Sequence, residues 1–234
     1  MDDIVRLIGL TKSYNGSINA VDNVTLTLNR GRLIGLLGPN GSGKTTLIKM
    51  IAGLLVPTSG SILIDGQPVG PRTKAVVSYL PDNTYLNDWM RVSEIISFFA
   101  DFYADFDVQR AYGMLAQLAI SPDDKLKTMS KGTREKVQLI LVMSRHAKLY
   151  LLDEPIAAVD PAARDYILST IISNVDEGSG VLLSTHLIGD IEHFLNEAVF
   201  IQNGRIALYD SVNNIRQREG RSVDELFREV YRCW

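Results

Sequence analysis

The alternation of apolar and polar residues predicts two strand-rich regions with a helical region between them. In the first region, Val24, Leu26 and Leu28 alternate with threonines, which is typical of a strand with one buried face. Residues 33–37 form a short apolar run without alternation, as expected of a strand that is buried on both faces. The other predicted strands comprise residues 61–64, 75–79, 149–152, 181–184 and 198–201.

Apolar residues at helical spacing predict helices in other parts of the chain. The predicted helices comprise residues 44–52, 92–104, 108–119 and 133–145. Gly53 is expected to end the first of these helices, and Asp107 is expected to cap the third. Asp160-Pro161 predicts another helix start, since an N-cap residue precedes proline at the first helical position. Residues from Ser211 onward are predicted to be helical and polar.

These elements predict a single α/β domain over residues 1–234, in which helices flank the sheet. The α/β core comprises residues 1–83 and 149–210, and a helical subdomain of residues 84–148 interrupts it. Residues 211–234 form a C-terminal helical tail. No low-complexity tract or linker rich in Pro, Gly or Ser divides the chain.

The composition narrows the classes of function. The 234 residues include 24 lysines and arginines against 27 aspartates and glutamates, with 46% hydrophobic and 22% charged residues. These proportions are typical of a globular protein and exclude intrinsic disorder and a collagen-like chain. The net charge of −3 and the lack of a basic cluster argue against a nucleic-acid partner. A single cysteine, Cys233, excludes an internal disulfide and a cysteine-based zinc site.

The sequence also bears on the location of the chain. No apolar stretch approaches the roughly 20 residues that a membrane-spanning helix needs. The acidic start, Met1-Asp2-Asp3, has neither a basic nor an apolar region of the kind found in secretory signals. We therefore expect a cytosolic location.

A complete phosphate-binding motif lies between the predicted buried strand and the helix that follows it. Its residues are Gly38, Pro39, Asn40, Gly41, Ser42, Gly43, Lys44 and Thr45, which satisfy GxxxxGK[ST]. Glycines allow successive backbone N–H groups to curve around a phosphate, and the helix directs its positive dipole end at the same group. Lys44 adds a full charge near the β- and γ-oxygens, and the Thr45 hydroxyl can bind Mg²⁺. The segment is predicted to bind a nucleoside triphosphate.

Two acidic residues follow the predicted strand of residues 149–152. Asp153 is expected beside the phosphate loop, where folds of this kind hold the ligand shell of Mg²⁺. Glu154 can polarise an attacking water as a general base. The alternative is an acidic turn at a strand end, which the complete phosphate loop makes less plausible.

Residues Met129-Ser130-Lys131-Gly132-Thr133 precede these acids and open a predicted helix. This segment resembles the LSGGQ signature of ATP-binding cassette (ABC) ATPases. The other elements of that family occur in the expected order. They are the adenine-stacking aromatic (Tyr14), the PTSG turn (residues 57–60), the glutamine-loop position (residues 78–82), the D-loop (residues 156–160) and the switch histidine (His186). The resemblance covers about residues 4–210.

The resemblance implies an architecture and a set of site residues. The fold is a P-loop NTPase core of mixed sheet with flanking helices, an N-terminal antiparallel β region and a helical insert. The catalytic residues are Lys44, Glu154 and His186. ATP is bound by Tyr14, by the phosphate loop together with Thr46, and by Ser130, Lys131, Gly132, Thr133 and Asp160. Mg²⁺ is bound by Thr45, Asp153 and Asp82.

Two elements depart from the family pattern. Asp82 stands where the family carries glutamine; a carboxylate there can bind Mg²⁺ but cannot donate a hydrogen bond. A register shift of one residue would place Asn83 at this position instead. Lys131 and Thr133 replace glycine and glutamine of the signature. The charge of Lys131 either strengthens phosphate binding or crowds the closed state, and the sequence does not decide between the two.

The resemblance implies an ATPase subunit that powers a separate polytopic permease from the inner face of the membrane. Two nucleotide-binding domains would meet head to tail, so that each phosphate loop faces Ser130–Thr133 of the other. The helical insert would contact the permease through residues 82–91. Residues 222–230 resemble the end of exporter-type ATPases, which favours export. The transported substrate and the choice between a homodimer and a heterodimer are not encoded in recognisable motifs.

Two alternatives belong to other classes of protein. A soluble ABC ATPase of translation or DNA repair would be expected to carry a second cassette or a long coiled coil, which the chain lacks. A small-molecule kinase with a phosphate loop needs no signature segment and no D-loop.

Several conspicuous side chains receive plainer interpretations. Phe98, Phe99, Phe102 and Tyr103 are expected to pack within the helical insert. The two histidines outside the motifs, His146 and His193, are expected on the surface.

Overall fold

The computed structural model describes residues 3–14, 16, 18–157 and 161–231. The strands are β1 (Asp3–Ser13), β2 (Asn19–Asn29), β3 (Leu33–Leu37), β4 (Ser59–Ile64), β5 (Gln67–Pro68), β6 (Val77–Leu80), β7 (Leu149–Asp153), β8 (Gly180–Thr185), β9 (Glu197–Gln202) and β10 (Arg205–Ser211). The helices are α1 (Lys44–Ile51), α2 (Pro71–Ala75), α3 (Val92–Phe102), α4 (Val108–Gln117), α5 (Lys131–Met143), α6 (Pro161–Ser173), α7 (Ile188–Ile191), α8 (Val212–Glu219) and α9 (Val223–Val230).

A six-stranded mixed sheet forms the core, in the order β10-β9-β3-β8-β7-β6. Strands β9, β3, β8, β7 and β6 are parallel, and β10 pairs antiparallel with β9. All residues of β7 and β8 are buried, as expected of parallel strands that are covered on both faces. The predicted α/β class and the strands at residues 33–37, 149–152, 181–184 and 198–201 are confirmed.

A second, antiparallel sheet has the order β2-β1-β4-β5, which confirms the predicted N-terminal β region. The strand β1 was not predicted from the sequence. Its pairing with β2 shifts register between Leu7 and Leu10, around Gly9 in the left-handed region at φ 55°. A bulge of this kind interrupts the two-residue period on which strand prediction depends.

The predicted strand at residues 75–79 is partly wrong. The preceding segment forms the short helix α2, and β6 begins only at Val77. Pro71 occupies the first helical position, and the backbone N–H of Gly70 donates to the Thr73 hydroxyl at 2.9 Å. These local contacts favour a helical turn over extension of the strand.

The helical insert contains α3, α4 and α5 in the predicted places. Asp107 caps α4, since its carboxylate accepts from the backbone N–H of Arg110 at 2.9 Å. Helix α5 begins at Lys131, two residues earlier than predicted, because Ser130 accepts from the backbone N–H of Thr133 and caps it. The domain bounds themselves stay a prediction.

The expectation that all four aromatics pack within the insert is wrong for two of them. Phe99 is buried, whereas Phe98 and Phe102 are 59% and 68% exposed and stack on each other on one face of α3. Helical spacing marks a position as apolar, but it does not establish that another element covers it.

The C-terminal tail is helical as predicted but not uniformly polar. Helices α8 and α9 begin after serine caps, Ser211 and Ser222. Phe227 packs edge-to-face on Phe200 of β9 at 5.7 Å between ring centroids. The Tyr231 hydroxyl donates to the Ile201 carbonyl at 3.0 Å. The tail is therefore amphipathic and packs on the core.

No helix in the described part of the chain is long and apolar enough to cross a membrane.

Arg145 joins the helical insert to the core. Its side chain is 3% exposed, and its guanidinium donates to the carboxylate of Asp105 at 2.9 and 3.0 Å. It also donates to the carbonyls of Val77 and Ala75, each at 2.6 Å. The guanidinium carbon lies 3.9 Å from the ring centroid of Tyr103. One buried cation thus satisfies acceptors on both sides of the junction.

We expect the substitution Arg145→Met to lower the free energy of unfolding by about 3–5 kcal/mol, because it leaves buried polar partners unpaired. Urea denaturation measures the change. Arg72 is exposed, so Arg72→Met serves as a matched control and should remain within about 0.5 kcal/mol of the parent. An Arg145→Met variant as stable as this control would contradict the assigned role.

Candidate functional site

The phosphate loop connects β3 to α1 and depends on backbone conformations that favour glycine. Gly41 and Gly43 have φ angles of 78° and 109°. A Cβ atom at Gly43 would lie 2.3 Å from the carbonyl oxygen of Ala20, which leaves no room for a side chain. The loop thus runs directly into the N-terminus of α1, where free backbone N–H groups and the helix dipole favour an anion.

Lys44 lies at the centre of the site. Its side chain is almost fully buried, and its Nζ donates to the carbonyls of Gly38 at 2.8 Å and Pro39 at 3.2 Å. The same Nζ lies 3.4 Å from Oε1 of Glu154. The sequence-predicted cation and the sequence-predicted base are therefore in direct contact.

The register of the parallel strands brings the acidic residues to this loop. Strands β3, β8 and β7 are neighbours, and Asp153 pairs with Ser184 at their carboxyl ends. Ser184 Oγ donates to Asp153 Oδ1 at 2.6 Å, and Thr45 Oγ1 donates to the same oxygen at 3.2 Å. Ligands bind at the carboxyl ends of strands in such sheets, which is where these groups converge.

Asp153 has the environment of a metal-binding carboxylate. Burial raises the pKa of the Asp153 carboxyl above its usual value. Hydrogen bonds from Ser184 and Thr45 offset part of this rise, and the charges of Asp82 and Glu154 add to it. Its Oδ2 is buried and has no hydrogen-bond partner among the described residues. This free oxygen beside the Thr45 hydroxyl fits Mg²⁺, a hard cation that prefers oxygen ligands.

In the described ranges, no group of three or more His, Cys, Asp or Glu side chains could hold a metal ion.

Glu154 is held in an unusual backbone conformation with φ 51°. Its backbone N–H donates to the carbonyl and to the hydroxyl of Ser184, at 3.1 and 3.0 Å. Its Oε2 lies 3.0 Å from Nδ1 of His186, while Oε1 faces Lys44. Left-handed conformations of a bulky residue cluster at functional sites, and here the strained residue carries the carboxylate between the two predicted catalytic side chains.

Tyr14 and Thr46 lie together at the first turn of α1. The Tyr14 hydroxyl lies 3.3 Å from Thr46 Oγ1, and the Tyr14 ring is 59% exposed. Lys12 Nζ lies 5.5 Å from the centroid of that ring. An exposed aromatic face beside the phosphate loop can stack on a base.

The signature segment lies at the N-terminus of α5. Ser130 Oγ accepts from the backbone N–H of Thr133 and lies 2.9 Å from the Thr133 hydroxyl. A Cβ atom at Gly132 would meet nothing within 4 Å, so this glycine is open to an approaching group. Lys131 is exposed and lies 3.9 Å from Glu135.

A cleft of about 310 Å³ separates α5 from Glu154 and His186. It is lined by Asn40, Leu80, Pro81, Asp82, Thr84, Lys131, Glu135, Gln138, Glu154, Pro155, Ala157 and His186. Asp82 is exposed within this cleft, so its assignment to the metal stays a prediction. Asp160, assigned to the nucleotide, lies outside the described residues. The roles of all predicted site residues remain predictions, whatever their positions.

Sequence reasoning missed some polar groups of the site. The Ser184 hydroxyl, which orients Asp153 and meets the Glu154 N–H, ends an apolar run that predicts only a strand. Ser42 Oγ in the phosphate loop and Gln138 Oε1 on α5 are buried and have no partner in the described part of the chain. The signal for Gln138 was its polarity within the apolar face of a helix.

Comparisons with known proteins find similarity along most of the chain. The family model described as ABC transporter matches residues 21–157. The chain is 28% identical over 217 residues to the ABC transporter ATP-binding protein YtrB of Bacillus subtilis (strain 168), covering 92% of this chain and 74% of that protein. It is 29% identical to the SkfA peptide export ATP-binding protein SkfE of the same organism, covering 87% of each.

The chain is also similar to part of a much longer transporter and to a solved structure. The match to the human glucosylceramide transporter ABCA12 is 31% identical and spans 94% of this chain but only 9% of that protein. A structure described as the ATP binding subunit of an ABC transporter superposes with a TM-score of 0.86 at 30% identity, covering 97% of this chain and 98% of the other.

Proposed function

The chain belongs to the ABC transporter family, and we propose that it powers export through a separate membrane-spanning permease. It is an ATP-binding and ATP-hydrolysing subunit of a membrane transporter. The observation that carries the assignment of its active site is the contact of Glu154 with both Lys44, at 3.4 Å, and His186, at 3.0 Å. Cation, base and histidine converge here at the carboxyl ends of the parallel strands, beside the phosphate loop.

In the proposed binding mode, ATP occupies the phosphate loop and the exposed face of Tyr14. Backbone N–H groups of residues 40–46 surround the phosphates, and Lys44 exchanges its contacts with the Gly38 and Pro39 carbonyls for phosphate oxygens. Thr45 and Asp153 would hold Mg²⁺, which neutralises phosphate charge when bound.

For hydrolysis we assign the general base to Glu154. When Lys44 turns to a phosphate, one oxygen of the Glu154 carboxylate loses its cation and becomes free to accept a proton from water. His186 keeps the other oxygen fixed at 3.0 Å, so the carboxylate holds its orientation. The buried hydrogen bonds of the Glu154 backbone to Ser184 fix the position of the base relative to Asp153.

The second nucleotide contact comes from another copy of such a domain. The capped N-terminus of α5, with Ser130, Lys131, Gly132 and Thr133, opens a helix of 13 residues and leaves Gly132 accessible. Such a terminus favours an anion. We assign it, together with Asp160, to the ATP of the opposite domain in a head-to-tail dimer.

The permease is assigned to a groove of about 610 Å³ between the core and the helical insert. Its wall is formed by Lys49, Ala52, Leu54, Lys74, Val77, Tyr79, Pro81, Tyr85 and Tyr103. Tyr85 and Trp89, within the predicted contact segment of residues 82–91, are 54% and 61% exposed. An apolar groove with lysines on its wall fits a helical segment with an apolar face and a carboxylate. This segment belongs to a permease loop, which would place the chain at the inner face of the membrane.

Export is supported by the similarity to SkfE, described as a peptide export ATP-binding protein, and by the exporter-like tail at residues 222–230. The test is co-expression with a polytopic protein encoded beside this chain, followed by purification in detergent. We expect the two to co-purify, Tyr85→Asp to lose the complex, and Tyr112→Asp, outside the groove, to retain it. ATP hydrolysis by a chain that joins no membrane protein would instead favour a non-transport ABC ATPase.

Asp82 is proposed as a third oxygen ligand of Mg²⁺. If so, Asp82→Asn should raise the Mg²⁺ concentration that gives half-maximal ATPase, because the charge is lost at constant size. If the position only tolerates a shortened glutamine, Asp82→Gln should hydrolyse ATP faster than the parent. Titration of Mg²⁺ against ATPase rate distinguishes these outcomes. If the titration curves of the parent, Asp82→Asn and Asp82→Gln superimpose, Asp82 is excluded from the metal site.

A further inference from the structure

One face of helix α5 carries a row of polar residues that lines the cleft beside Glu154 and His186. Lys131, Glu135 and Gln138 are spaced at i, i+4 and i+7, which places them on the same side of the helix. All three line the cleft opposite Glu154 and His186. The helix that begins with the signature segment therefore also forms a wall of the active site within the same chain.

Gln138 is the buried member of this row. It is 2% exposed, and the neighbouring residues Val137, Leu139 and Ile140 are buried and apolar. Its Nε2 donates to the carbonyl of Pro81 at 3.4 Å, directly before Asp82. Its Oε1 is buried and has no hydrogen-bond partner among the described residues.

A buried amide oxygen without a hydrogen-bond partner is rare and destabilises the fold. Its presence at this position therefore suggests a functional role. A leucine of similar volume would fill this buried position beside Val137, Leu139 and Ile140 without that cost. Gln138 instead presents a donor to the loop of residues 81–82.

We propose that Gln138 is a positioning residue that ties helix α5 to the loop carrying Asp82. Its amide nitrogen donates to the Pro81 carbonyl and so holds the loop of residues 81–82 against the helix. Ser130 and Gln138 are separated by about two helical turns, so a displacement of the signature segment reaches Pro81 and Asp82 through one rigid helix. This role rests on the ATPase function proposed above and adds a link within one chain between its signature segment and its own catalytic cleft.

The first test is the substitution Gln138→Leu, with kcat and KM for ATP measured separately and thermal unfolding recorded. We expect kcat to fall about tenfold, the equivalent of one hydrogen bond in the active state, while KM changes less than about twofold. The melting temperature should be unchanged or higher, because leucine removes the unpaired oxygen. Gln109 is exposed on α4, so Gln109→Leu provides the same chemical change away from the cleft and should match the parent.

The second test is Gln138→Glu, which keeps the length and the acceptor but can donate to Pro81 only when protonated. We expect the ratio of variant kcat to parent kcat to rise as the pH falls from about 8.5 to about 6.5, since burial favours the neutral acid. A merely structural role predicts a ratio that is independent of pH.

A Gln138→Leu variant with the parental kcat overturns the inference. So does a Gln138→Leu variant that loses both kcat and melting temperature, if the ratio of Gln138→Glu kcat to parent kcat is also independent of pH. Failure of the proposed function looks different, since the parent would then show no ATPase activity above that of Lys44→Ala.

Discussion

Lys44→Ala is expected to abolish ATP hydrolysis and to weaken ATP binding by about one to two orders of magnitude. Lys44 is the cation of the phosphate loop, and its Nζ is already held by two loop carbonyls that point it to where phosphates would lie. We expect the fold to remain intact, because Glu154 keeps its contact with His186. Binding of a fluorescent ATP analogue and release of phosphate measure the two effects.

Lys127→Ala is the matched control for this substitution. Lys127 is exposed and lies outside the residues that line the cleft, so its removal should alter neither readout. Circular dichroism of both variants should match that of the parent. Unchanged turnover in Lys44→Ala would refute the assignment of the phosphate loop.

The phosphate loop could be predicted in detail because its residues are contiguous and its chemistry is local. Eight consecutive residues specify the turn, the lysine and the hydroxyl that we assign to Mg²⁺, and the strand and helix predicted on either side of them are confirmed. The contact of Lys44 with Glu154 was implied less directly. It follows from the order of the parallel strands, since β3 and β7 both flank β8 and their carboxyl ends meet at one edge.

Groups that depend on distant packing were not predictable. The partner of Gln138 is a carbonyl 57 residues away in sequence, so the polarity of this residue within helix α5 does not identify the group that it contacts. The sequence predicts only that Arg145 ends a helix. In the structure its guanidinium donates to the carbonyls of Ala75, before β6, and of Val77, in β6. Local patterns specify elements; the tertiary arrangement decides which polar groups become paired.

Tertiary packing also decides which apolar side chains are buried, as the exposure of Phe98 and Phe102 shows. Their spacing is that of a buried helix face, and the helix does form. Burial, however, requires another element to cover that face, and the described residues leave both rings open. Apolar periodicity therefore predicts the helix better than it predicts the core.

Glu154→Gln is expected to lower the turnover number by about two to four orders of magnitude while ATP binding is retained. The substitution preserves the size of the side chain and its capacity to contact His186, but the amide cannot accept a proton from water at neutral pH. It also removes the carboxylate that now lies 3.4 Å from Lys44. Lys44 is then released from one competing anion, so the affinity for ATP should be equal to that of the parent or higher.

Retained binding without cleavage should make the dimer visible. With ATP and Mg²⁺ present, we expect Glu154→Gln protein to shift towards the dimer in size-exclusion chromatography and to return to the monomer when nucleotide is removed. The double variant Lys44→Ala/Glu154→Gln should stay monomeric, because the shift requires bound ATP. Glu177→Gln, at an exposed site away from the cleft, should behave as the parent in both assays. A Glu154→Gln variant that hydrolyses ATP at the parental rate would assign the general base to another group, and the contact of Glu154 with Lys44 and His186 would then be structural only.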